Sequence, residues 1–77
     1  VTLMYSAETH QNLISRIPGV TGRTMDDWLH VVADGPSLIR CEEKIEWLRR
    51  EYELSYGYAK AIIHEFDLRR AAARMTH

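Results

Sequence analysis

The chain has 77 residues and a mass of 9.0 kDa, enough for one domain spanning 1–77 and no second core. Hydrophobic residues make up 45% and charged residues 27%, a balance that excludes wholesale disorder. Ten Lys and Arg against eleven Asp and Glu leave no bulk charge to draw the chain toward nucleic acid or anionic lipid.

The single cysteine, Cys41, excludes an internal disulfide and a Cys-rich metal site and points to a reducing, cytoplasmic setting. No apolar run approaches the roughly 18–20 residues that span a bilayer, and the start of the chain lacks a basic-then-apolar leader pattern. Residues 1–5 read as a loose arm. Ser6 is an N-cap for a first helix over about 6–17, whose Leu13, Ile14 and Ile17 share a face with His10 three residues earlier. Pro18-Gly19 is expected to stop it.

A second helix starts at Thr24, where Asp27 three residues on completes a capping box in a shortened form. Asp26 and Asp27 also offset the positive end of the helix dipole. Trp28, Val31 and Val32 give the buried face, with Leu29 beside them, and Gly35 is expected to end the helix in a left-handed cap. In the third segment Leu38, Cys41, Ile45, Leu48 and Tyr52 alternate at three and four residues, predicting a continuous apolar stripe. Cys41 then reads as a buried, inert thiol. Glu42, Glu43, Glu46, Arg49, Arg50 and Glu53 form the opposite side, with Glu46 and Arg50 spaced to pair.

Residues 53–55 read as a tight turn, and Ser55 as the cap of a fourth helix with Leu54 stapled toward Ala59. Ala59, Ile62, Ile63 and Phe66 supply its buried face. The Ala- and Arg-rich stretch from Leu68 to Met75 carries the helix past the core, with 76–77 frayed. Gly57 in the first turn admits two readings, close approach of another backbone or a permissive turn. Four amphipathic helices with short connections bury their stripes only against one another. The expectation is an all-α, compact bundle of four helices, the last two in a helix-turn-helix-like arrangement.

The order of these features resembles a bacterial domain-of-unknown-function family, number four-two-eight-seven. The resemblance rests on Thr21-Gly22-Arg23-Thr24, on Asp26-Asp27-Trp28, on Lys44-Ile45-Glu46-Trp47-Leu48-Arg49, and on the run from Leu54 through Tyr56, Gly57 and Tyr58 to Ile63. It covers about residues 13–63 and implies a small helical fold. It implies no reaction. Where many members carry a Gly-His-Gly-His run, this chain has Ser55-Tyr56-Gly57-Tyr58.

No residue pattern here supplies a catalytic group or a cofactor site. His10, His30, His64 and His77 are scattered without a metal-ligand spacing, and no Gly-rich phosphate loop occurs. His64 and Asp67, three apart, read as a solvated surface pair. No small-molecule substrate, membrane contact, metal or catalytic residue is expected. Two binding classes remain. A core this small is expected to leave Trp28, Trp47, Tyr52, Tyr56 and Tyr58 incompletely covered, so Trp47, Tyr56 and Tyr58 border a protein-binding patch or form a half-buried rim. Lys60, Arg69 and Arg70 join them as interaction candidates, and the Arg-rich end offers a surface for self-association. The alternative is nucleic-acid binding, with Tyr56, Tyr58 and Lys60 opening a recognition helix. Against it, residues 24–53 hold eight acids and four bases, which repel phosphates. A non-catalytic protein-interaction module is the favoured reading.

Overall fold

The structure, a computed structural model, describes residues 6–75. Four helices follow in chain order: α1 (Ala7–Thr21), α2 (Met25–Asp34), α3 (Cys41–Tyr52) and α4 (Tyr56–Met75). The long α4 packs on each of the other three, and α1 and α2 also touch each other. Helix packed on helix is the architecture that the apolar periodicity predicts. The loose arm over 1–5 and the frayed 76–77 lie outside the described residues.

Local capping chemistry sets most helix starts. The Ser6 hydroxyl accepts from the Thr9 N–H at 3.1 Å. Thr24 and Asp27 close a reciprocal capping box, with the Asp27 N–H on the Thr24 hydroxyl (3.1 Å) and the Thr24 N–H on the Asp27 carboxylate (3.2 Å). Ser55 accepts from the Tyr58 N–H at 3.4 Å. The α3–α4 turn is short because Glu53 takes up left-handed backbone, φ 54°, the conformation that usually ends a helix at glycine.

Several expectations fail, and four points of difference shape the fold. First, α1 does not stop at Pro18 but runs a turn further, to Thr21. Pro18 removes one donor, yet Ile17 is fully buried, the Thr21 hydroxyl donates to its carbonyl at 2.7 Å, and Gly22 ends the helix instead. Gly22 lies at φ 77° and gives its N–H to the Pro18 carbonyl. Burial of Ile17 before the proline and anchoring of Thr21 after it offset a cost of about 3 kcal/mol. Second, Gly35 ends α2 in extended backbone (φ −78°), not left-handed. What requires glycine there is Trp47: a Cβ on Gly35 would lie 2.6 Å from the far edge of that indole.

Third, the stripe of α3 is shorter than its spacing suggests. Leu38 sits in the connection before the helix, and Cys41, its first residue, is exposed. The thiol faces α4 at the rim, where it approaches the Asp67 carboxylate at 3.4 Å. The surface pair on this helix is Glu46 with Arg49 at 2.8 Å, not Arg50. Fourth, Trp28 is wholly enclosed at 2% exposure. The core comprises Ile17, Met25, Trp28, Ile45, Leu48, Ala59, Ala61, Ile62 and Ile63. Phe66, expected within it, is half-buried at the edge. A Cβ added at Gly57 would meet nothing within 4 Å, so no close approach explains that glycine.

Candidate functional site

Three features stand out on this frame. The first is a chain of polar side chains tying three helices together. His10 of α1 is buried at 3% exposure, and its Nε2 lies 2.9 Å from Glu65 Oε1 on α4. Arg69 Nε donates to Glu65 Oε2 at 2.8 Å, and Arg69 Nη1 reaches Asp26 Oδ1 of α2 at 3.2 Å. Partial burial alone would push the Glu65 carboxyl up, but hydrogen bonds from His10 and Arg69, and the guanidinium charge, outweigh it and hold it below its ordinary value. An ionised carboxylate only accepts, so His10 Nε2 carries the donated hydrogen. The bond to Glu65 in turn raises Arg69. The His64 ring stands edge-on to His10, 4.8 Å between centroids.

The second is a cleft of about 430 Å³ between the turn after α1 and the turn before α4. Its wall is aromatic: Trp28 and Tyr52 meet edge to face at 5.2 Å, and the Arg23 guanidinium stacks over both rings at 5.2 and 5.3 Å. The Trp28 N–H is satisfied by the Thr21 hydroxyl at 3.0 Å. Thus Thr21, Arg23, Trp28, Leu54 and Tyr58, singled out in separate stretches of sequence, border one depression.

The third is a groove of about 240 Å³ where the α2–α3 connection crosses α4. Its apolar lining includes Val32, Leu38, Trp47 and Phe66, and Lys44 and Arg70 flank it. Arg70 leans over the Phe66 ring at 5.6 Å. Trp47 meets Tyr52 edge-on at 6.0 Å, while its indole N–H has no hydrogen-bond partner among the described residues. Beside the groove, Ile39 is 93% exposed.

The six interaction candidates are therefore distributed. Trp47 and Arg70 meet in the groove, whereas Tyr58 is half-buried in the cleft. Tyr56 is exposed against α3, its hydroxyl donating to Glu42 at 3.2 Å and its ring under Arg49. Lost hydration and the Glu42 carboxylate push that phenol up. Arg69 belongs to the ion chain, and Lys60 is half-buried on α4 and lines neither depression.

Sequence reasoning missed the His10–Glu65 pair. A signal was present: His10 occupies the apolar stripe of α1, where a polar ring needs a partner. The partner lies 55 residues away and cannot be read from spacing. The Cys41 thiol is pushed above its ordinary value chiefly by its hydrogen bond to Asp67, with some loss of hydration adding to it. Among the described residues, no group of three or more His, Cys, Asp or Glu side chains is gathered to hold a metal ion. No helix among them is long and apolar enough to cross a membrane.

No curated protein and no solved structure matches the chain. A sequence profile does match, over residues 9–68, from the first turn of α1 to well along α4, and it carries the description "domain of unknown function" (DUF4287). With most of its length and all four of its helices inside or overlapping that match, the chain belongs to the DUF4287 family.

Proposed function

We propose that the domain is a non-catalytic protein-interaction module working in the cytoplasm, where an exposed thiol such as Cys41 stays reduced. The observation that carries this reading is the groove beside Trp47. An open trough with Val32, Leu38, Trp47 and Phe66 in its lining, next to an almost fully exposed isoleucine, leaves apolar groups in water, and such exposed apolar groups mark many protein-binding surfaces. The Asp67 carboxylate, which pushes the Cys41 thiol above its ordinary value, supports the non-catalytic part, since raising a thiol lowers its share of nucleophilic thiolate.

Ile39→Asp combined with Trp47→Ala tests the reading. Immobilised wild-type domain should retain proteins from a native lysate that the variant releases, and identical retention by both would sink it. The nucleic-acid alternative draws on the short 53–55 turn that joins α3 and α4. Two polar side chains of α4 are engaged within the fold, Tyr56 at its start with Glu42, and Arg69 further along with Glu65 and Asp26. A gel-shift titration at low salt discriminates, because phosphate contacts are strongest there. Sedimentation at two protein concentrations tests self-association through the exposed end of α4.

A further inference from the structure

We infer that the groove beside Trp47 binds an extended segment of a partner protein in which an acidic side chain stands next to a large apolar one. The inference rests on the protein-interaction reading and adds the chemistry of the ligand. Charge at the rim decides it. Lys44 and Arg70 flank the groove from α3 and α4, neither takes part in an ion pair among the described residues, and no acid lines it. Two acids close to them in sequence are committed elsewhere: Glu43 accepts from the Arg40 N–H at 3.2 Å, and Asp67 accepts from Cys41.

Two cations without carboxylate partners, brought from two helices to a trough that also presents Val32, Leu38, Trp47 and Phe66, leave one kind of segment favoured. A carboxylate entering between them gains charge-assisted hydrogen bonds from groups that now face water. The Trp47 indole N–H adds a donor with no partner among the described residues, suited to a peptide carbonyl or a second carboxylate oxygen. The adjoining residue of the segment then covers Leu38 and Phe66. A nucleic-acid strand fits this place poorly: the neighbouring depression on the other side of Trp47 is bordered by Glu42, Glu43 and Glu46 against the single cation Arg50, a net negative charge that repels a run of phosphates.

The test is selection of random octapeptides displayed on phage against the full chain. Enriched peptides should carry Asp or Glu beside Leu, Ile, Phe or Trp, shift the Trp47 emission on binding, and weaken as salt is raised. The double variant Lys44→Glu, Arg70→Glu should bind them about tenfold less tightly or worse, the loss expected when two attractive charges become repulsive. Far-UV circular dichroism checks that this variant keeps its helices. Lys44→Gln, Arg70→Gln provides a milder form should the reversal disturb the fold. Enriched peptides without acids, bound equally by wild type and variant, overturn the inference while leaving a protein-binding groove standing. Failure to enrich any peptide overturns both. Retardation of a double-stranded DNA 30-mer that the charge reversal abolishes overturns the inference in favour of nucleic acid.

Discussion

The two tryptophans of this chain sit on either side of Tyr52 and have opposite fates. Trp28 is enclosed, its N–H bonded to Thr21 and its ring covered by Arg23. Two residues before it, Asp26 joins the ion chain through Arg69 and Glu65 to His10. On that side the polar groups named have partners within the protein. Among the described residues, Trp47 is half-buried with an unpartnered N–H, and the cations near it have no ion pair. Aromatic content alone therefore does not mark a binding surface. What separates the two regions is whether hydrogen-bonding capacity is consumed within the fold.

That contrast breaks first under truncation. Trp28→Ala should cost about 3–5 kcal/mol in denaturant unfolding, close to the whole stability of a domain this small. Trp47→Ala should cost less than half as much while abolishing ligand binding; comparable losses would erase the distinction. Next comes Glu65→Ala, expected to cost about 1–3 kcal/mol because it takes from the buried His10 ring its Glu65 acceptor, while the half-exposed Arg69 keeps Asp26 and water.

The same carboxylate gives the tied side a pH signature. Its folded-state value lies below the ordinary 4.5, so its contribution is complete above that pH and is lost as pH falls through the lower folded value. Acid unfolding of Glu65→Ala should lack that component, which a series of thermal melts at decreasing pH would show.

Smaller effects separate the glycines. Gly35→Ala must displace the Trp47 ring and should cost about 1–2 kcal/mol with a weakened groove. Gly57→Ala meets open space within a helix and should be neutral or stabilise by about 0.5–1 kcal/mol. A large loss at Gly57 would instead revive a close approach there.

Features encoded within a few residues were legible in the sequence. The Thr24–Asp27 box, the Ser6 and Ser55 caps and the buried Ile45, Leu48, Ile62 and Ile63 follow from local spacing. Pro18 misled because its local veto was overridden by Ile17 burial and by Thr21, whose hydroxyl ties Ile17 to Trp28. Cys41 misled because a period of three and four says nothing about where the helix begins. Leu38 falls before that start and Cys41 on it. Of the candidate surface, Trp47 and Arg70 were legible as types of residue. Their meeting was not, since it depends on Gly35 letting the indole lie against the α2–α3 connection.

Because α4 is the wall against which α1, α2 and α3 each rest, the three earlier helices lack their main packing surface until it is present. On a ribosome that wall emerges last of the four. The nascent chain must carry its greasy faces largely uncovered until then, with only the smaller contacts among α1, α2 and α3 to shelter them, and collapse should follow abruptly once residues 59–66 clear the exit tunnel.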